Sequence, residues 1–356
     1  MSADTAAARL RLGRLRAQRL TPADAAASTV DAVRHLIGVQ AQIPSAAALA
    51  LRVRTAEARA EDVARDTAPG GLLVRTWLMR GTLHLTATED VDWLLAVLAP
   101  AVLRGSRRRH AELGLNSATL DRSADVLVRL LEGGLATRSE LYGGLAAQGI
   151  DPAGQRGIHM IRHAAVHGLL CCGPDSGREQ TWVRHEPAPV ASVGRDEALT
   201  ELARRYRAAY GPAGPRDLAA WSGLPASDAQ RAWQLAAGVS NNQWPRPEPS
   251  TVRLLPHFDP YLLGYAGRDH VVAEEHRLQV WTGGGYVLPT VIVDGWAVGT
   301  WRSEHRGDRL VVTVQPFEPG HLSARVTAGI DAEVADLGRF LGLEASWAPG
   351  AAPSPR

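Results

Sequence analysis

This chain predicts an α+β fold assembled from tandem winged-helix units, on three observations. Between residues 119 and 190 three helical patterns lead into a short hairpin, the order of a winged helix, which is a helix-turn-helix variant. A similar succession of three helices and then strand-like runs recurs after residue 191. The 356 residues are enough for two or three domains, and a 45% hydrophobic share is ordinary for a globular chain.

The elements follow from local pattern. Arg9, Arg11, Arg14, Arg16 and Arg19 alternate with Leu10, Leu12, Leu15 and Leu20 in a basic N-terminal helix that Thr21-Pro22 ends. Val30, Val33, Leu36 and Ile37 space a helix from Ser28 to Gly38, and Pro44 opens another through Val53. Leu72 to Thr86 is rich in strand formers, with Arg80-Gly81 as a turn. Glu89 to Leu103 is helical again. A helix over Asp121–Leu131 precedes the capping box Thr137-Arg138-Ser139-Glu140, and Gly154 to Gly168 forms the third helix of that unit. Leu169–Cys172 and Gln180–Arg184 make its hairpin. Helices at Arg195–Tyr210, Pro215–Trp221 and Pro225–Ala237 lead to a polar stretch at Asn241–Ser250. Strands follow at Val252–Leu255, Tyr286–Val293 and Ala297–Arg302, the last two joined at Asp294-Gly295. The expected units are 8–118, 119–190 and 191–345, with a Pro/Ala-rich disordered tail at 346–356.

Composition excludes several chemistries. The 39 basic residues are all arginine and there is no lysine, so a lysine Schiff base and a P-loop NTPase are both ruled out. A GC-rich genome accounts for most of that bias. Nine Tyr and Phe in the whole chain argue against a stacking platform for single strands. Cys171 and Cys172 are adjacent, which disfavours a disulfide and suits a reducing, cytoplasmic setting. No Cys/His zinc spacing, membrane-length apolar run or signal-peptide core is present. His159, His163 and His167 stand at i, i+4 and i+8, but without a carboxylate or Cys beside them we expect no metal and no cofactor.

Four stretches, Gly38–Arg54 (GVQAQIPSAAALALRVR), Met79–Thr86 (MRGTLHLT), Leu254–Tyr265 (LLPHFDPYLLGY) and Leu288–Arg302 (LPTVIVDGWAVGTWR), resemble in order and spacing the winged-helix DNA glycosylases of the AlkZ and YcaQ type. The glutamine pair Gln40 and Gln42 resembles the AlkZ branch, since the YcaQ branch has an acid at the second position. The resemblance implies three winged helices forming a C-shaped channel for duplex DNA. It also implies cleavage of the N-glycosidic bond of N7-alkylated guanine, including unhooking of azinomycin-type interstrand crosslinks as antibiotic self-resistance. A C-terminal β-hairpin entering the DNA is implied as well, for which Trp281–Leu288 is the candidate here. The partner would be damaged duplex DNA met by a monomer at the bacterial nucleoid.

The residues themselves limit the mechanism. A glutamine has no useful proton affinity, but it can hold a water by its carbonyl oxygen and donate through its NH₂. That suits a leaving group already activated by positive charge, as N7-alkylguanine is, with an oxocarbenium-like transition state at the sugar. Gln40 and Gln42 could share a water only if Ala41 points away. The alternative is that both are loop amides capping the helix at Pro44. Without lysine, a monofunctional enzyme with no lyase step is expected. Asp259 could stabilise charge on the sugar, or simply cap a turn before Pro260; His84 is a strand residue that could support the site. Arg14 of the basic helix, Arg104, Arg107, Arg108 and Arg109 of the RGSRRRH run, and Arg156 and Arg162 are the expected DNA contacts. Glu274-Glu275-His276 reads as a solvated face. The competing reading is a winged-helix transcription regulator without catalysis, which leaves the glutamine pair unexplained.

Overall fold

The computed structural model of the chain describes residues 3–175, 179–187, 194–238, 251–318 and 322–350. The expected polar stretch at 241–250 and the last six residues lie outside them. The fold is mixed helix and sheet, as the patterning predicts.

Helix α1 (Ala3–Ala17) is followed by α2 (Thr29–Leu36), whose N-cap Ser28 accepts the Asp31 N–H at 3.1 Å. The short strand β1 (Val39–Gln40), helices α3 (Pro44–Arg52) and α4 (Ala60–Asp66), strands β2 (Leu73–Trp77) and β3 (Leu83–Ala87), and the long α5 (Val91–Glu112) complete the first part. Helix α5 runs a further turn or more beyond its predicted end. It carries Pro100 inside, which cannot donate to Ala96, and Arg195 reaches in to that carbonyl at 3.4 Å.

The second part is α6 (Ser117–Leu130), β4 (Ala136–Thr137), α7 (Arg138–Ala147), α8 (Arg156–Val166) and the hairpin β5 (Leu170–Cys172) and β6 (Thr181–Arg184). The capping box forms as expected: Thr137 and Glu140 satisfy each other's backbone N–H. Then come α9 (Arg195–Tyr210), α10 (Pro215–Ser222), α11 (Ala226–Leu235), β7 (Val252–Leu255), and the short α12 (Pro260–Leu263) and α13 (Arg277–Val280). The chain closes with β8 (Thr290–Val293), β9 (Trp296–Arg306), β10 (Arg309–Pro316), α14 (Ala324–Leu341) and β11 (Glu344–Pro349).

Two sheets organise these elements. A six-stranded sheet of order β1-β3-β2-β5-β6-β4 joins the strands of the first two parts, with Arg75 opposite Cys172 at the junction. A five-stranded sheet of order β11-β10-β9-β8-β7 is antiparallel apart from its parallel β10–β11 edge. Helix α14 packs on it through Ile330, Val334 and Leu337, an i, i+4, i+7 stripe.

The cores do not follow the expected unit boundaries. Leu36, Ile37, Leu51, Met79 and Leu94 share one core with Leu199, Tyr206, Tyr210 and Trp221. The α9–α11 trio is therefore buried against the first part rather than around a core of its own, because its apolar stripe faces α2 and α5. The second part keeps a separate core around Leu127, Leu145, Ile161 and Trp182.

Two strand expectations need correction. The tail does not begin at 346: residues 344–349 form β11, which pairs with β10 and is fastened by Trp347 Nε1 donating to Asp331 at 2.6 Å. An edge strand tolerates the Pro349 that made this stretch read as a tail. Strand β8 starts at Thr290 rather than Tyr286, because Gly283, Gly284 and Gly285 all sit at positive φ in a tight turn closed by a single Gly283–Tyr286 bridge.

Candidate active site

The glutamine pair lies on an extended segment threaded along β3. Gln40 pairs with His84 across the β1–β3 ladder, and the Ala41 N–H continues the ladder to the Leu83 carbonyl at 2.8 Å. Ala41 is buried, so the alternation of an extended chain turns Gln40 and Gln42 to its other side. Ile43 is extended (φ −115°, ψ 104°), as the residue before a proline should be, and caps α3 without a side-chain hydrogen bond. The amides therefore do not cap α3. Gln40 Nε2 donates instead to Gln42 Oε1 at 2.5 Å. Gln40 is buried and Gln42 exposed.

The entry to this segment is held under strain. Ile37 has φ 70° and ψ −38°, a conformation a β-branched residue adopts only when its surroundings impose it. Its side chain is fully buried and its carbonyl accepts Thr86 Oγ1 at 2.7 Å.

Arg80, which reads in the sequence only as half of a turn, is the third member of the site. It sits between β2 and β3 in the left-handed region (φ 55°, ψ 12°). Its Nη2 donates to Gln40 Oε1 at 2.9 Å and its Nη1 to the Trp221 carbonyl in the last turn of α10. Helix ends leave carbonyls unpaired and favour a cation there. Gly223 follows α10 at φ 80°, and a Cβ on it would lie 3.0 Å from the Arg80 backbone. Gly223→Ala is expected to cost about 1–2 kcal/mol in urea unfolding, from the unfavourable φ together with this contact. The residue signal was present in MRGTLHLT, but its partner Trp221 is 141 positions away.

His84 is fully buried. Its Nδ1 lies 3.0 Å from the Thr82 carbonyl, which can only accept, so Nδ1 carries a proton and in the neutral ring Nε2 is the acceptor. Burial, helped by the neighbouring Arg80 charge, lowers its pKa to about 3. Between about pH 6.5 and pH 3 the unfolded chain binds a proton that the folded chain refuses, so this histidine's contribution to stability falls as the pH drops. It amounts to about 2 kcal/mol lost at pH 5 relative to neutral pH. Replacing His84 with Asn should flatten the dependence of the urea midpoint on pH between 7 and 5.

Several expected site residues are placed elsewhere. Asp259 is completely buried and accepts both Arg54 guanidinium nitrogens, at 2.7 and 2.8 Å, as well as the Tyr261 N–H at 2.8 Å. It is a structural ion pair and N-cap, and its carboxylate has no open side to present to a sugar. Arg14 is also buried: its guanidinium lies 3.7 Å from the Tyr265 ring centroid and its Nε donates to the Pro212 carbonyl. Rather than forming a free basic arm, helix α1 is thus packed onto the C-terminal part, with Arg11 over Trp296 and Arg14 over Tyr265, and Arg16 pairs locally with Asp24.

Arg156 is half-buried and tied to the Asp151 and Leu113 carbonyls, a tether between the α5–α6 connection and α8. Arg162 lies against Gly81, beside Arg80, with burial lowering its pKa. Arg104, Arg107, Arg108 and Arg109 are all exposed at the end of α5; Arg108 and Arg109 share Glu112. His110 of α5 joins the α8 histidines: its ring lies 5.4 Å from His159 and 6.2 Å from His163, and His163 is 4.5 Å from His167. Among the described residues no cluster of His, Cys, Asp and Glu is arranged to hold a metal.

The hairpin candidate Trp281–Leu288 is a tight turn between buried ends. Trp281 and Val287 are buried in the core, leaving a short exposed tip from Thr282 to Tyr286. The long hairpin is β9–β10, whose tip from Arg302 to Arg309 is exposed.

Paired amides held by Arg80 are the geometry of the site, and comparison with known proteins specifies the class. The model of the AlkZ-like DNA glycosylase family matches residues 33–340. The chain belongs to that family. A curated relative, the interstrand DNA cross-link repair glycosylase of Streptomyces sahachiroi, is 31% identical over 323 residues, covering 81% of this chain and 85% of the relative. The solved structure of the Streptomyces sahachiroi DNA glycosylase AlkZ superposes with a TM-score of 0.72 at 26% identity, covering 96% of this chain and 99% of that one.

Proposed function

We propose that this chain is a monofunctional DNA glycosylase that hydrolyses the N-glycosidic bond of cationic N7-alkylguanine in duplex DNA, interstrand crosslinks included. One observation carries the reading. Among the described residues, the side-chain hydrogen-bond partners of Gln40 and Gln42 are each other and Arg80, with no carboxylate and no amine. Such a site has no proton to give a leaving base, so the base must carry its own positive charge. Gln42 is left to hold the attacking water through its oxygen, and the oxocarbenium-like sugar develops against it.

A crosslinked guanine is tied to both strands and cannot swing fully into a pocket, unlike the target of a base-flipping enzyme. A water held on an exposed segment suits that substrate. The reading includes three winged-helix units lining a DNA channel, a monomer as the working form, and damaged duplex as the partner. With no lysine, the product is an intact abasic site. A regulator without catalysis would leave the Arg80–Gln40–Gln42 chain without a purpose.

The exposed arginines at the end of α5 are the proposed phosphate contacts. Arg107→Ala with Arg108→Ala should make the slope of log Kd against log salt shallower by about 2, one counterion per lost contact. Fluorescence anisotropy between 50 and 200 mM salt measures it. The test of function is excision of N7-methylguanine from a duplex: release of the free base by the wild-type protein supports the reading, and its absence opposes it.

A further inference from the structure

We propose that Arg80 is a positioning residue that fixes which way both site amides point. The proposal rests on the functional reading above. The two ends of a glutamine amide are nearly the same in shape, and an unrestrained amide can turn over. A guanidinium has five donors and no acceptor. Gln40 must therefore show its oxygen to Arg80, and its NH₂ is turned to Gln42. Gln42 must in turn show its oxygen to Gln40, which leaves the second lone pair of that oxygen, and the whole Gln42 NH₂, for water and DNA. The orientation at the exposed end is thus set two residues deep.

Arg80 is itself held from three sides. Its backbone is in the left-handed region, Gly223 packs against that backbone, and one arm of the guanidinium is occupied by the α10 carbonyl. Among the described residues no carboxylate forms an ion pair with it, so the other arm is not diverted from Gln40. A lysine ammonium has three donors but no planar fork, so it would not fix the two partners in this geometry.

The experiment is single-turnover excision of N7-methylguanine from a duplex, with duplex affinity and urea midpoint measured alongside. Arg80→Met should slow excision by about 10- to 100-fold, the usual reach of a supporting shell, with Kd within about twofold of wild type. Guanidinium ion at tens of millimolar should restore at least about fivefold of the rate in Arg80→Ala, since it can refill the site that the truncation opens. A second variant keeps the test decisive if these fold poorly. Gln40→Glu retains an acceptor for Arg80 but has no N–H for Gln42, so it should lose excision at least as far as Arg80→Met while binding normally. Excision within threefold of wild type in Arg80→Met or Gln40→Glu overturns the proposal, and so does a loss matched by an equal loss of affinity or folded protein. Wild-type protein inactive on this duplex would overturn the functional reading first, and the role of Arg80 with it.

Discussion

Gln42→Ala should slow single-turnover excision of N7-methylguanine by about 100- to 1,000-fold, the range for removing one preorganised polar group at a reacting centre. Duplex affinity should stay within about twofold. The separation of rate from binding follows from the geometry. Gln42 is exposed and its bond from Gln40 Nε2 is only part-buried, so water can replace the lost acceptor and little stability is lost. Gln40→Ala should behave differently. It strands an Arg80 donor beside the buried strand, so excision falls and stability also drops by about 1–3 kcal/mol. A variant pair in which Gln42→Ala loses stability and keeps its rate would reverse the assignment.

The second large effect is on folding. Asp259→Ala should destabilise the protein by about 3–5 kcal/mol, because it leaves the Arg54 guanidinium buried and unpaired. Both side chains are completely buried, and Arg54 also donates to the Ala50 carbonyl and to Gln18. Gln18 in turn donates to the Tyr265 hydroxyl. One ion pair therefore joins helix α1, the end of α3 and the HFDPY segment. The urea midpoint should fall sharply, while the excision rate of the fraction still folded should remain within a few-fold of wild type. A normal midpoint with a collapsed rate would return Asp259 to the chemistry.

These two cases show how much of the site was legible in the chain. The QAQ pattern followed by Ile43-Pro44 allowed an extended segment with its two amides on one side, since the pre-proline rule and the two-residue alternation are local, but it left helix capping at Pro44 open as well. The helices over 137–147 and 195–210 were legible for the same reason, from a capping box and an apolar stripe. Asp259 was legible as the cap before Pro260 but misjudged as a charge offered to a sugar, because its partner, Arg54, lies 205 positions away and nothing in HFDPY announces a buried guanidinium. Arg14 was misjudged likewise: an arginine in a basic run looks solvated until an aromatic ring from residue 265 covers it. Strand β10 and helix α14 have clear apolar periods, but no element is expected between Arg302 and the tail, where a Gly/Asp turn and a Pro/Gly stretch interrupt the pattern. The fusion of α9–α11 with the first core was not legible, since an apolar stripe does not name the surface it packs on.

The most direct test of the account combines two substrates with three readouts. Wild-type protein is incubated with a duplex carrying N7-methylguanine, and in parallel with one carrying an azinomycin-type interstrand crosslink. Released base and strand integrity are then followed, with borohydride added to a further aliquot. The account predicts base release from both duplexes, an unbroken abasic strand until alkali is added, and no borohydride-trapped protein–DNA adduct. No base release from either duplex, or a trapped covalent adduct, would contradict it.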